Sequence, residues 1–137
     1  QFNSTPEDSA IDLGDGIIVT AIAAGNFHTC AILDNSSIKC WGFNASGQLG
    51  LEDTYPRGDL DIDAESEMGD RLPAVDLGAG RTARAITAGD SHTCALLDNF
   101  SVKCWGKNES GQLGLGDNST RGDGSGEMGD ILPVIGL

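Results

Sequence analysis

The 137-residue chain contains one sequence block twice. Residues 25–50 read GNFHTCAILDNSSIKCWGFNASGQLG, and residues 89–114 read GDSHTCALLDNFSVKCWGKNESGQLG, 64 positions further along. The repeat extends towards the N-terminus, since AIDLG at residues 10–14 returns as AVDLG at residues 74–78. A repeat of this length is typical of one supersecondary unit that buries its apolar faces only by stacking on neighbours. Two copies are fewer than such an array needs, so we expect the packing to continue beyond this chain.

The repeat divides the chain into three parts. Residues 1–9 form a polar N-terminal tail, residues 10–73 the first repeat and residues 74–137 the second. The first repeat includes a long acidic loop at residues 51–71. The length suffices for a single domain if both copies pack together.

The composition favours short strands joined by turns. The chain has 20 glycines, only 5% aromatic residues and no long apolar pattern with the period of a helix. Apolar runs between turn residues predict four strands in each copy. They lie at residues 17–24, 28–33, 38–41 and 72–77, and again at residues 83–88, 92–97, 102–105 and 131–137. Four-stranded units in tandem indicate an all-β protein of propeller type.

The four cysteines form two pairs with the same spacing. Cys30 and Cys40 stand ten residues apart, as do Cys94 and Cys104, and each pair flanks a predicted hairpin tip. Of the three formal connectivities, this arrangement favours the cross-strand disulfides Cys30–Cys40 and Cys94–Cys104. A zinc site is the alternative, although zinc-binding cysteines usually stand about two to four residues apart.

The asparagines indicate the compartment. Six of the seven begin an N-x-S/T sequon, whereas 19 Ser and Thr residues in 137 predict about one by chance. Together with paired cysteines, the sequons predict a secreted, extracellular protein with N-linked glycans. The alternative is that turn-forming Asn and Ser merely coincide at loop tips. The predicted glycosylation sites are Asn3, Asn35, Asn44, Asn99, Asn108 and Asn118.

The charge excludes two classes of partner. The formal net charge is -13 and the pI is near 4.1, whereas nucleic acid and anionic membranes attract basic surfaces. No apolar run approaches the length of a membrane span. We therefore expect neither nucleic-acid binding nor membrane insertion.

The acidic loop of the first repeat is a candidate calcium site. Its carboxylates fall at positions 1, 3, 5, 7 and 12 of a twelve-residue window, a spacing by which calcium loops place oxygens around one ion. Ala64 stands where such loops usually have glycine, and no flanking helices are predicted, so a solvated acidic loop is the alternative. No other cofactor is expected. The candidate ligands are Asp59, Asp61, Asp63, Glu65 and Asp70.

The run G-x-x-H-T-C-A-[IL]-L-D, followed by [IV]-K-C-W-G-x-N-x-S-G-Q-L-G, resembles the RCC1-type repeat, named after the regulator of chromosome condensation. This resemblance implies β-propeller blades, usually seven in a ring, of which this chain supplies about two. The expected architecture is thus two four-stranded blades in tandem, an open array completed by neighbouring subunits or by further repeats. The resemblance also implies that His28 and His92 are structural, and Trp41 and Trp105 are interpreted as core wedges between blades.

The repeat phase suggests a function. Residues 10–13 are a third copy of the predicted fourth strand, so one strand is surplus and each end of the array has an uncovered apolar face. The leading hypothesis is a secreted glycoprotein module that assembles with other copies of itself, head to tail, by strand addition and blade stacking into a fibre or similar assembly. The alternative is a secreted propeller that binds a protein or glycan ligand, with a protein inhibitor as one specific form. No nucleophile, base and orienting group recur at matched positions, so no enzyme is expected.

Overall fold

The computed structural model of the protein describes residues 10–59 and 67–137 and contains two antiparallel three-stranded sheets, one in each repeat. No helix of the described residues has the length and apolar character required to cross a membrane. The prediction of two RCC1-like all-β blades in an open tandem array is confirmed. Blade 1 consists of β1 (Val19–Ala24), β2 (His28–Leu33) and β3 (Ile38–Gly42), and blade 2 of β4 (Ala83–Ala88), β5 (His92–Leu97) and β6 (Val102–Gly106).

The hairpin tips follow from local turn chemistry. In blade 1 the Asn35 Oδ1 atom accepts hydrogen bonds from the backbone N–H of Ser37 at 3.0 Å and from its hydroxyl at 2.7 Å. Asn99 and Ser101 repeat this pattern in blade 2. Such Asx turns reverse the chain without a sheet ladder. They bring Cys30 opposite Cys40, and Cys94 opposite Cys104, in the strand register.

The predicted fourth strands do not form. Residues 72–77 and 132–137 lie outside any strand, and Ile131 ends a short 3-10 helix at Gly129–Ile131. Each segment makes one backbone hydrogen bond to the third strand of its repeat: Val75 N–H to Ile38 O at 2.8 Å, and Ile135 N–H to Val102 O at 2.9 Å. Pro73 and its counterpart Pro133 lack the N–H that a regular ladder requires. The blades are therefore three-stranded, and the four-stranded prediction is corrected in this detail.

The two blades pack on each other through opposite faces. Each has a disulfide face, which carries its cysteines, and a tryptophan face on the other side of the sheet. The disulfide face comprises Cys30, Ile32, Ile38 and Cys40 in blade 1, and Cys94, Leu96, Val102 and Cys104 in blade 2. The tryptophan face comprises Ala31, Leu33 and Trp41 in blade 1, and Ala95, Leu97 and Trp105 in blade 2. The main core lies between the disulfide face of blade 1 and the tryptophan face of blade 2.

The N-terminal segment lies within its own repeat. Leu13 is buried with Leu33 and Leu72 in a second apolar cluster. The backbone N–H of Gly69 donates to Asp12 O at 2.7 Å, and Lys39 Nζ donates to Leu13 O at 2.9 Å. Residues 74–78 hold the same place in blade 2, where Gly129 N–H donates to Asp76 O.

Candidate functional site

The junction between the blades is organised around one backbone carbonyl. Gln48 O accepts hydrogen bonds from the Trp105 indole N–H at 3.1 Å and from the Thr93 hydroxyl at 2.8 Å. The Thr93 hydroxyl in turn lies 2.9 Å from His28 Nε2. Because the hydroxyl hydrogen is directed at Gln48, His28 carries its proton on Nε2 and donates it to Thr93. This buried chain of polar groups fixes how one blade sits on the next.

Backbone contacts complete the junction. Ala83 N–H donates to Ser36 O at 2.9 Å, and Glu52 N–H donates to Gly122 O at 3.0 Å. Gly47 has φ +72°, and a Cβ built on it would lie 2.5 Å from the carbonyl carbon of Gly122 in the next blade. Only glycine satisfies both this backbone conformation and this close approach.

Burial affects the protonation of the junction. Desolvation of the His28 ring lowers its pKa below the ordinary histidine value, and the nearby His92 ring lowers it further. Asp90 and a backbone hydrogen bond at His92 act in the opposite direction with smaller effect. The junction therefore favours neutral His28, which agrees with the structural role that the repeat motif implied.

The tryptophan face of blade 1 is open at Trp41, whereas Ala31 and Leu33 are buried within their own repeat. Trp41 is half-buried, and within the part of the chain that the structure describes its indole N–H has no hydrogen bond. Depressions of about 500 and 240 Å³ border it on two sides. Phe27 and Phe43, whose rings meet edge to face at 6.2 Å, are exposed at the larger one. Within residues 10–59 and 67–137, no second blade covers Trp41 as blade 1 covers Trp105.

The disulfide face of blade 2 is also open. It holds an apolar depression of about 190 Å³ lined by residues of β4, β5 and β6. Cys94, Leu96 and Val102 are half-buried, whereas their counterparts in blade 1 are covered by blade 2. The two ends of the blade pair thus present the two halves of the contact that joins the blades internally.

The cysteines pair as predicted. The structure contains the disulfides Cys30–Cys40 and Cys94–Cys104, and no cysteine is free. Because both link β-strands of one hairpin, they stabilise each blade separately and leave the blade junction to packing.

The sequon asparagines fall into two classes. Asn35, Asn99 and Asn118 are exposed, whereas Asn44 and Asn108 are fully buried. Asn3 lies outside the described residues. Glycosylation at each of these positions remains a prediction.

The calcium prediction falls largely on residues that the structure does not describe. Asp61, Asp63 and Glu65 lie outside the described ranges, and within residues 10–59 and 67–137 no three metal-ligating side chains come together. Asp70 Oδ1 accepts the N–H of Asp15 at 3.4 Å, and in the shorter second loop Glu127 Oε1 accepts three backbone N–H groups of residues 122–124. Asp70 and Glu127 thus accept backbone amides, and calcium binding stays a prediction.

Sequence analysis did not identify two essential groups of the junction. Gln48 acts through its backbone carbonyl, which the residue type does not reveal. Thr93 could have been found, because threonine follows histidine in both copies of the motif. In the structure, Thr93 pairs with His28 of the preceding blade.

Comparison with known proteins supports the repeat assignment. Two profiles of the Regulator of chromosome condensation (RCC1) repeat match residues 19–48 and 83–112, and residues 40–96. The chain is 31% identical over 101 residues to Protein pim1 of Schizosaccharomyces pombe, which covers 74% of this chain and 17% of pim1. It is 32% identical over 106 residues to the Ultraviolet-B receptor UVR8 of Arabidopsis thaliana, covering 77% of this chain and 21% of the receptor.

Solved structures share the fold. Yeast RCC1 (Prp20), in its complex with Kap60, superimposes with a TM-score of 0.61 at 20% identity, over 82% of this chain and 25% of the other. Human WBSCR16 superimposes with a TM-score of 0.64 at 22% identity, over 88% of this chain and 26% of WBSCR16. The chain spans 17 to 21% of the length of pim1 and UVR8. Because the motif, the matched profiles and the blade geometry agree, the chain belongs to the family of RCC1 repeat proteins with a β-propeller fold.

Proposed function

We propose that this chain is a secreted, N-glycosylated structural module whose copies stack head to tail, through their open blade faces, into a fibre or similar extracellular assembly. The supporting observation is the contrast between two equivalent tryptophans. Trp105 is fully buried at the junction and donates to Gln48 O, whereas Trp41 is half-buried and no blade of the described chain covers it. A second copy that presents Gln112, the counterpart of Gln48, would provide the missing carbonyl.

The chemistry of the two open faces supports the same pairing. Val102 and Leu96 occupy the positions of Ile38 and Ile32, so the open disulfide face keeps the apolar character of the buried one. On the tryptophan face, Ala31 and Leu33 are buried with Leu13 and Leu72 of their own repeat, and Trp41 is the member that stays partly exposed. Blade 2 has alanine, leucine and tryptophan at the same three positions. Contacts between such non-identical faces are heterologous, and they produce rings when they close and filaments when they do not.

Blade stacking has more support than strand addition. The edge of β6 is occupied within the chain, because Ile135 N–H donates to Val102 O. The surplus segment at residues 10–14 is held by contacts of Asp12 and Leu13 within its own repeat. Neither segment therefore needs to pair with another subunit, and the proposed assembly uses the faces of the blades.

One glycine substitution tests the proposal. Gly111 is the counterpart of Gly47 and has φ +74°, but among the described residues a Cβ on it would meet only Asp117 O at 3.9 Å. Gly111→Ala adds a methyl group where the docking copy would approach. Gly126→Ala is the matched control, because Gly126 has φ +79° and nothing within 4 Å of a Cβ. Both variants carry similar backbone strain.

The readout is particle mass by sedimentation velocity, with negative-stain electron microscopy of the same samples. We expect the wild type and Gly126→Ala to form long assemblies and Gly111→Ala to remain a small species. A wild type that stays monomeric, or a Gly111→Ala variant that assembles as the wild type does, would overturn the proposal.

A binding module is the second candidate, and the comparisons favour it. One relative is named as a receptor for ultraviolet-B light, and the yeast structure shows an RCC1 protein bound to Kap60. On this hypothesis the open faces join further blades in a closed propeller that binds a protein or glycan ligand, with a protein inhibitor as one specific form. A compact ring of fixed mass in the same sedimentation experiment would favour this candidate over the fibre.

A further inference from the structure

The five described sequons differ in whether their amide nitrogen can receive a glycan. N-linked glycosylation replaces one of the two hydrogens on Asn Nδ2 with a bulky sugar, so the nitrogen must be accessible and free to lose a donor. We call a sequon closed when its Asn Nδ2 atom is buried and hydrogen-bonded, and open when that atom is exposed and makes no hydrogen bond within the described chain.

Asn44 is closed by a complete set of hydrogen bonds. Its Nδ2 atom donates to Asp53 O at 3.0 Å, Asp53 Oδ1 at 3.1 Å and Tyr55 O at 3.0 Å. Its Oδ1 atom accepts the Leu49 N–H at 3.0 Å, and the side chain is 0% exposed. A sugar on Nδ2 would remove a buried donor and displace the loop that packs over it.

Asn108 repeats this arrangement in blade 2. Its Nδ2 atom donates to Asp117 O, Asp117 Oδ1 and Ser119 O at 2.9 to 3.1 Å, and its Oδ1 atom accepts the Leu113 N–H at 3.0 Å. Arg121 holds Asp117 in place through an ion pair of 2.9 Å and thereby lowers the pKa of that carboxyl. The acceptor thus stays ionised, which strengthens its bond to the amide.

The other sequons are open. Asn35 and Asn99 are exposed at hairpin tips and use only Oδ1 in their turns, so that within the described chain Nδ2 has no hydrogen-bond partner. Asn118 is exposed in the loop after β6. A glycan on any of the three points into solvent without breaking a hydrogen bond.

We infer that the fold excludes N-glycans from Asn44 and Asn108 and that Asn35, Asn99 and Asn118 are the modified asparagines of the described chain. This inference rests on the secretory location proposed above. It also narrows the sequence-based prediction, which counted all six sequons as glycosylation sites.

The test is site occupancy on protein secreted from a eukaryotic host, by peptide mapping after glycosidase release in heavy-oxygen water. The host provides secretion whatever the natural location of the protein, so this experiment tests the inference separately from the proposed function. Glycosidase release converts a glycosylated asparagine into an aspartate that carries heavy oxygen, and this label marks the site. We expect the label at Asn35, Asn99 and Asn118 and none at Asn44 or Asn108. A mark at Asn44 or Asn108 on folded protein, or none at the three open sites, would overturn the inference.

Serine variants separate the sequon from the structural role of the asparagine. Ser46→Ala and Ser110→Ala remove the two closed sequons but leave the hydrogen bonds of Asn44 and Asn108 intact. We expect the glycan mass and the melting temperature to stay at wild-type values in both. Asn44→Ala and Asn108→Ala should lower the melting temperature with no change in glycan mass. Loss of one glycan in either serine variant would contradict the inference.

A reductant in the culture medium tests whether folding is the cause. If the disulfides form late, the two closed sequons remain accessible for longer, and their occupancy should rise in the cell-associated protein. Unchanged zero occupancy would show that local sequence, and not the fold, keeps these sites unmodified.

Discussion

At the residue scale, identical side chains have different roles because only one of each pair has a neighbouring blade. The repeat motif identified both tryptophans as wedges between blades. Trp105 is such a wedge, whereas Trp41 occupies the same position on an open face. The histidines differ in the same way, since His28 is buried and reaches Thr93 in the next blade, whereas His92 is only partly buried. Sequence could identify the positions but not which of them are covered.

The tryptophan pair yields a stability prediction. Trp105→Ala removes a fully buried ring and its bond to Gln48 O, and we expect a loss of about 3–5 kcal/mol in the free energy of unfolding. Trp41→Ala should lower the free energy of unfolding by clearly less, because the Trp41 ring is already partly exposed to solvent. Urea unfolding of unassembled protein followed by circular dichroism measures both. Equal losses would show that the junction does not bury Trp105 more than the open face buries Trp41.

His28 predicts a pH dependence. Because burial lowers its pKa in the folded state, the unfolded state binds the proton more readily. The stability that neutral His28 contributes is complete above the unfolded pKa of about 6.5 and is lost as the pH falls towards the folded value. We expect the unfolding free energy to fall between about pH 7.5 and about pH 5.5, above the range of ordinary carboxylates. The variant His28→Gln keeps the neighbouring His92 and Asp90 but removes the titrating ring. We expect its unfolding free energy to depend less steeply on pH over this range. An unchanged slope in the variant would assign the effect to other groups.

At the element scale, the three core strands of each blade were predictable and the fourth was not. Residues 28–33 and 92–97 were predicted as strands with the bounds observed, since each contains a short apolar run between two turn signals. Residues 72–77 were apolar enough to predict a strand, but Pro73 removes a ladder donor and the segment keeps one hydrogen bond to β3. The strand was predicted from the apolar content of the segment. It does not form because the segment lacks a backbone N–H donor that a regular ladder requires.

The disulfides should differ in their reactivity. Cys30 and Cys40 are 0% exposed between the blades, whereas Cys94 lies half-buried on the open disulfide face. Attack by a thiolate requires access to a sulfur atom. We therefore expect mild reductant to open Cys94–Cys104 before Cys30–Cys40 in the unassembled protein. Alkylation at successive times, followed by peptide mass mapping, gives the order, and simultaneous opening of both would contradict the difference in burial.

At the scale of the whole molecule, high negative charge opposes the association that the apolar faces favour. Copies that each carry a net charge of -13 repel one another when they stack, and salt screens this repulsion over a Debye length of about 10 Å at 0.1 M. The negative charge also keeps single copies soluble. Assembly is therefore a balance between apolar burial and electrostatic repulsion.

This balance predicts a salt dependence. Raising sodium chloride from about 0.02 M to about 0.5 M should shift the sedimentation profile towards larger species, because the repulsion is screened while the apolar contact is retained. Gly111→Ala should show no such shift, which separates specific stacking from general salting-out. A wild-type profile that moves towards smaller species with salt would indicate that ion pairs, and not apolar faces, hold the copies together.

The sequence by itself determined the repeat, the blade type, the β2–β3 and β5–β6 hairpins and the pairing of the cysteines, because these depend on residues close together in the chain. Only the tertiary structure decided which copies of the repeated residues are buried and that the last segment of each repeat is not a strand. It also separated buried sequons from exposed ones. The physical reason is that burial depends on what packs against a residue, and Asn44 and Asn35 carry the same sequon pattern in very different surroundings.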